Sequence, residues 1–395
     1  MIVNQSLVGG RLLSIGVHGC IFTPPLECKL HTSNPKHPIL HIPNNRMISK
    51  LTIKSDADKE WKISEIIQKI PMYDAYFAIA ESICSVNPIQ SDLDFRTKCP
   101  IVKEAIYKQA MYDKLIDELR KDTIMDKLQK DTIIKLQKNK IMNELRILQM
   151  PYRGKSLRQY ALSDTFDFKN FIIRLLGAGA LLVIHGIVHY DLHDQNIIVS
   201  KTGVPRIIDF GGSIQINDPI SRLGLESNYK SMIPFFQYSV DYIALLGKKN
   251  KYDNFNIKAR IKKGKYVKYL TQILGLSNNK IEEELNKLLT KNKVIFQGDL
   301  DKWFDQYWQK MDSYAIGINL LEMVETHAMA PQIRNPFENE TTRIKTAITY
   351  LCTINPDERW DCVQALYYLD PTNQIITKYG GTKWLEKHGY PVKKS

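Results

Sequence analysis

The chain has 395 residues, of which 44% are hydrophobic and 25% charged, and it carries a formal charge of +13 at pH 7. That balance is the one of a soluble globular protein and leaves room for one large domain or two to three ordinary ones. No run reaches the roughly 18 uninterrupted apolar residues of a membrane span; the nearest, at 171–188, carries Arg174 and His185 and reads as a buried helix.

The start, "MIVNQSLVGGRLLS", lacks a basic stretch followed by an apolar core and a small-residue cleavage site, so a cytoplasmic or other intracellular location is expected. Six cysteines (Cys20, Cys28, Cys84, Cys99, Cys352, Cys362) show neither C-x-x-C spacing nor histidines at zinc-ligand distance. The expectation is thiols, without a disulfide framework or a zinc site.

In chain order, "RLLSIGVHGCIF" and "NRMISKLTIK" read as strands, "ADKEWKISEIIQKI" as a helix and "YFAIAESICSV" as a further β-like run. From about residue 98 to 145 the sequence turns helical and charged, with a short echo of "KDTIMDKLQ" in "KDTIIKLQ", which predicts an amphipathic insertion. A strand, "LRILQM", then ends at Pro151. The second half opens with the apolar helix and passes through "IVHYDLHDQNIIVSKTGVPRIIDFGGSI". Three helices follow: "KIEEELNKLLTK", "DSYAIGINLLEMVETH" and "PDERWDCVQALYYL".

A β-rich front and a helical back predict an α+β, two-lobed fold, with a first lobe over 1–150 and a second over 151–395 that holds its own basic, helical insertion at about 242–310. Within the latter, residues 248–269 carry nine Lys or Arg against one Asp. Such a run attracts an acidic protein, nucleic acid or membrane surface, or else forms a solvated face.

The stretch "HYDLHDQN" followed by "IIDFGG" matches the protein-kinase signature H-R-D-L-x-x-x-N plus D-F-G, so the chain resembles the protein-kinase-like superfamily. The resemblance implies ATP as phosphoryl donor with Mg or Mn, Asp191 orienting the attacking hydroxyl, and Asn196 and Asp209 as metal ligands. "NIIV" and "RIID" would pair as a ribbon that sets those two ligands against each other. Upstream, "SIGVHGCIF" is similar to the glycine-rich phosphate loop, with Ser14 for the first glycine, Gly16 and Gly19 for the others and Ile21 at the valine.

Lys50 sits at the phosphate-binding lysine, at the end of a predicted strand. Its acidic partner is Glu60 or Glu65, which point about 140° apart on a helix. Glu60 is favoured by the apolar face of Ile63, Ile66, Ile67 and Ile70. "LQMPYRGKSL" is similar to the connector between kinase lobes, with Met150 as the gatekeeper and the Pro151 carbonyl and Arg153 N–H expected to read adenine. Downstream, Asp312 is expected to accept from the catalytic-loop backbone, and Asp241 to pair with Arg359.

"HGCIFTPPLEC" and the charged insertions are similar to the divergent serine/threonine kinases of large cytoplasmic DNA viruses, which would imply a viral factory or virion. Several residues depart from the family pattern. Tyr190 replaces the arginine that reads an activation-loop phosphate, so activity without loop phosphorylation is expected. His193 stands where serine/threonine kinases have lysine and resembles the loop of small-molecule kinases; it either donates to the γ-phosphate or packs. Three functions therefore compete: a Ser/Thr protein kinase acting on a protein substrate, a small-molecule phosphotransferase, and a partner-binding pseudokinase.

Overall fold

The computed structural model describes residues 10–16, 19–28, 47–86, 98–104, 144–218 and 238–391. The chain divides into two compact units, Met1–Ile67 with Ala78–Arg153, and Gln68–Phe77 with Gly154–Ser395. A sheet dominates the first and helices the second, the α+β architecture expected from the sequence. The segment Gln68–Phe77 groups with the second unit, and the change of unit follows Arg153. Of the charged insertion at about 98–145, residues 105–143 lie outside the described residues.

In the first unit, five described strands form one antiparallel sheet. These are β1 (Arg11–Gly16), β2 (Gly19–Thr23), β3 (Met47–Ile53), β4 (Ser82–Ser85) and β5 (Leu145–Pro151), in the order β1-β2-β3-β5-β4. Leu51, Leu145 and Ile147 pack with Cys20, Phe22 and Val102 on one face. Leu148 and Met150 pack on the other, with Ala57 of helix α1 (Lys54–Ile67). Side chains alternate along a strand, so Lys50, one residue before Leu51, is aimed at the α1 side.

Lys50 lies in the middle of β3, opposite Ile21 and Leu148, and not at a strand end. The strand continues because Leu51, Thr52 and Ile53 go on pairing with β5 as far as Leu145. Ala57, Glu60, Ile63, Ser64 and Ile67 form the buried stripe of α1, at the spacing of one helical face.

The cysteine expectation fails in this unit. Cys20 is bonded to Cys99, and Cys28 to Cys84. The sheet brings these Cα atoms to 6.0 and 5.6 Å across sequence separations of 79 and 56, a proximity that local spacing does not encode. Cys352 and Cys362, in the second unit, are buried thiols as expected.

The second unit takes in the short helix α2 (Tyr73–Tyr76) and is centred on α3 (Phe168–Ile184), whose N-terminus is capped by the Asp167 carboxylate. The apolar run read as one helix to residue 188 breaks at Gly186, whose φ of 67° turns the chain. Ile187 and Val188 then form a strand.

Three strands, β6 (Lys155–Ser156), β8 (Ile197–Val199) and β9 (Pro205–Ile207), pair in the order β6-β8-β9, while β7 (Ile187–Val188) pairs with β10 (Ile214–Gln215). Gly154 is required beside them: its φ is 152°, and a Cβ there would stand 2.1 Å from the Val199 carbonyl oxygen.

Helices α4 (Val240–Lys249), α5 (Asn254–Lys262), α6 (Lys265–Gln272), α7 (Asn278–Lys291), α8 (Lys293–Gln297) and α9 (Leu300–Tyr307) fill the region read as the second insertion. Side chains of Asp253, Ser277, Asn292 and Asp299 cap α5, α7, α8 and α9. The buried helix α10 (Met311–Thr326) follows, then α11 (Pro331–Glu338), α12 (Ile344–Leu351) and α13 (Cys362–Leu369). "PDERW" is not helical; α13 starts after it, where Asp361 and Gln364 form a reciprocal capping box. Among the described residues, no helix is long and apolar enough to cross a membrane.

Candidate active site

In the first unit, the Lys50 Nζ donates to Glu60 Oε2 at 2.8 Å, with the two side chains only 7% and 5% exposed. Glu65 is exposed, so of the two acids the helix turns Glu60 toward the sheet. Gly16 and Gly19 face each other as the last register pair of the β1–β2 hairpin, and Ser14 lies opposite Ile21. A Cβ on Gly19 would stand 2.7 Å from the Leu51 carbonyl oxygen, so this position accepts no larger residue without a shift of β3. Met150, buried on β5, pairs with Ile48, and Pro151 pairs with Met47, where a missing N–H ends the ladder. Arg153 is exposed just beyond.

In the second unit, the loop between β7 and β8 carries the remaining residues. Asp312, at the start of α10, accepts the backbone N–H of His189 at 2.6 Å and of Tyr190 at 3.0 Å. Burial raises the Asp312 carboxyl above its ordinary value, against the pull of His189 and of those two amides. The His189 Nε2 donates to the Ile208 carbonyl at 2.8 Å, which ties this loop to the residue preceding Asp209.

Asn196 is fixed at several points. Its side-chain Nδ2 donates to the Asp191 carbonyl at 2.8 Å, its N–H to His193 at 2.8 Å, and its carbonyl accepts from Ile208 N–H at 3.0 Å. The expected ribbon is present as β8 and β9, with Ile197 opposite Ile207. Asp209 has a φ of 63°, a left-handed conformation uncommon for a residue with a side chain. Thus Asp191, His193, Asn196 and Asp209 are gathered by one hydrogen-bonded loop system.

The His193 Nδ1 accepts from Gln195 N–H at 3.2 Å, while its Nε2 lies 3.8 Å from Asp191 Oδ2. A neutral ring with that acceptor carries its proton on Nε2, the nitrogen turned toward Asp191. Asp194 receives Arg158 Nε at 2.7 Å; burial opposes its ionisation, yet the neighbouring His193 ring and the Arg158 guanidinium prevail and lower its pKa.

The committed lysine nitrogen and the oxygen groups differ in chemistry. With its amide nitrogen bonded to the Asp191 carbonyl, Asn196 has a side-chain oxygen that could hold a cation, as could the Asp209 carboxylate. Two oxygen ligands of this kind suit Mg²⁺ or Mn²⁺ that takes its other ligands from phosphate and water.

Tyr190 stands where the kinase signature has arginine. Its φ is 70°, and its hydroxyl lies 2.9 Å from that of Tyr242, with the Tyr238 ring 5.5 Å away. Burial pushes the Tyr242 hydroxyl up to about 12 and that of Tyr238 higher still, so both remain neutral donors. The Trp303 ring packs on Tyr242 at 5.0 Å.

Beyond the loop, Arg359 Nη2 meets Asp241 Oδ1 at 2.6 Å in a pair with almost no exposure, and Trp303 Nε1 donates to Asp241 Oδ2 at 2.9 Å. Arg359 also stands over the Tyr314 ring, 4.9 Å from its centroid. Trp303, Tyr242 and Asn319 are not apparent from kinase motifs; a lone Asn inside the apolar "AIGINLLEM" was the one sequence signal available. In the basic run, Lys258 and Lys262 face Glu282, Lys265 faces Glu322 and Lys268 faces Glu325.

A family model described as Protein kinase domain matches residues 96–244. Over that span the chain is similar to protein kinase domains. The matched span contains Asp191, His193, Asn196 and Asp209, whereas Lys50, Glu60 and the glycine strands precede it. No curated protein matches the chain, so the narrower viral resemblance rests on sequence motifs alone.

Proposed function

We propose that this protein-kinase-like chain transfers the γ-phosphoryl group of ATP to Ser or Thr hydroxyls of a protein substrate. The observation that carries the reading is the pinned loop, in which the Asn196 side chain bonds the Asp191 carbonyl while its own backbone bonds Ile208, next to Asp209. Phosphoryl transfer asks mainly for positioned charge, and this network supplies it.

In this reading, Asp191 orients the acceptor hydroxyl and takes its proton. Lys50, held by Glu60, binds phosphate oxygens with the backbone of Gly16 and Gly19. A Mg²⁺ or Mn²⁺ ion held by Asn196 and Asp209 would neutralise charge on the phosphates. His193 donates from Nε2 to the transferring group. Met150 is assigned as the gatekeeper, and the Pro151 carbonyl and Arg153 N–H to adenine.

Tyr190 carries no positive charge to read a phosphate, and its hydroxyl bonds Tyr242, which supports turnover without loop phosphorylation. Phosphatase treatment of the active protein should leave its rate unchanged. Lys258, Lys262, Lys265 and Lys268 of the 248–269 run already face glutamates, so an acidic partner or nucleic acid that used these four would have to displace those carboxylates. The viral resemblance carries with it a factory or virion location. Two disulfides fit a particle or another oxidising setting better than a reducing cytosol.

The test is incubation with γ-labelled ATP, Mg or Mn, and basic and acidic protein acceptors, alongside Asp191→Asn and Asp209→Asn. Label on protein that vanishes in both variants supports the reading. Bound nucleotide without protein label overturns it in favour of a small-molecule phosphotransferase, toward which His193 leans, or of a pseudokinase.

A further inference from the structure

Helix α10 is almost wholly buried and apolar, with Ile316, Ile318, Leu320 and Leu321 at 0% exposure, yet it carries Asn319 at 1%. An amide in such surroundings is costly unless its polar atoms are paired. Asn319 Nδ2 donates to the Ala315 carbonyl at 2.7 Å and to the Leu192 carbonyl at 3.2 Å, whereas Oδ1 is buried without a partner. Two carbonyl acceptors on one side fix the orientation of the amide, since a flipped group would set oxygen against oxygen.

The Leu192 carbonyl belongs to the peptide between Asp191's neighbour and His193. Asp312, seven positions earlier and so two turns back on nearly the same face of α10, holds the N–H groups of His189 and Tyr190. Asn196 holds the Asp191 carbonyl. Asn319 therefore supplies a further hold, on the peptide just after Leu192. Leu192 is itself 0% exposed, so no water stands ready to replace that bond.

We propose that Asn319 is a positioning residue for phosphoryl transfer: through the Leu192 carbonyl it fixes the peptide that aims Asp191 and His193, at the expense of a buried oxygen left unpaired. The proposal rests on the kinase reading above, and its signature is opposed effects on stability and rate. Asn319→Leu keeps the branching and the number of heavy atoms while removing every polar atom. It should leave Tm at or above that of the parent protein and leave KM for ATP unchanged, while kcat falls about 10-fold or more, as expected for slight misplacement of reacting groups.

The experiment compares the parent protein, Asn319→Leu and Asn319→Ala in thermal melts, in steady-state kinetics with ATP and a protein acceptor, and in hydrogen exchange of peptides spanning 189–196. Asn319→Ala, which opens a cavity, reports what simple loss of packing does to Tm and rate. A lowered kcat with Tm retained in Asn319→Leu, and faster exchange in 189–196, supports the assignment. An unchanged kcat, or a kcat that falls only in step with Tm as in the alanine variant, overturns it. If the parent protein transfers no phosphate at all, the kinase reading fails by itself, and exchange decides the matter: unchanged protection of 189–196 in Asn319→Leu overturns the positioning role and faster exchange upholds it.

Discussion

Each unit contains a buried ion pair, but the pairs stand in different relations to the chemistry. In the first unit, the paired Lys50 is itself the candidate phosphate ligand, 7% exposed and held by the Glu60 side chain. In the second, the buried pair is Asp241 with Arg359, remote in sequence from the loop, while the Asp191 side chain is 50% exposed and its backbone is held by Asn196 and its neighbours' by Asp312. A functional charge held by a side chain cannot be altered without disturbing the fold. One placed by its backbone can.

The largest expected effects test this contrast. Lys50→Met leaves Glu60 as a buried carboxylate without its ammonium, and should lose about 3–5 kcal/mol in denaturant melts together with transfer activity. Asp191→Asn should lower kcat by about 10²–10⁴-fold with an unchanged melting midpoint. Equal destabilisation in the two variants would break the comparison.

A smaller effect sharpens it within the second unit. Trp303→Phe keeps a ring against Tyr242 but removes the N–H that satisfies Asp241 Oδ2, for a loss of about 1–3 kcal/mol in stability. Since Asp241 keeps Arg359, the loss should fall well short of that for Lys50→Met. It would also show that the inserted helices brace the Asp241 anchor.

The smallest effect is at Arg158, whose side chain is 56% exposed in its pair with Asp194. Arg158→Ala should cost less than about 1 kcal/mol and less still in high salt. Asp194 has a lowered pKa in the folded protein, so the pair's contribution is present above the ordinary carboxylate value and is lost as pH falls through the lowered one. Stability curves of the two proteins should converge in acid; a constant gap at all pH values would assign the interaction to packing.

Much of the second unit's loop was readable because its elements are local. Asp191, Asn196 and Asp209 stand within one short stretch whose strands pair with each other, so spacing alone carries their proximity. The choice of Glu60 over Glu65 was also approached from the sequence, because helical periodicity separates the two. By contrast, the apolar helix ends at Ile184, short of the apolar run, because a glycine turn at Gly186 outweighs the continuing apolar residues.

What the sequence determined by itself was therefore the order of its elements, the α+β division and the types of residue that a phosphoryl-transfer loop requires, since period, turn chemistry and short spacings are local properties. Only the tertiary structure decided which distant groups meet. It joined Cys20 to Cys99 and Cys28 to Cys84, set Trp303 against Asp241, and turned Asn319 toward Leu192. Each of those contacts closes a long stretch of chain whose ends are held by packing of the intervening helices and strands, and no local pattern records where such ends will lie.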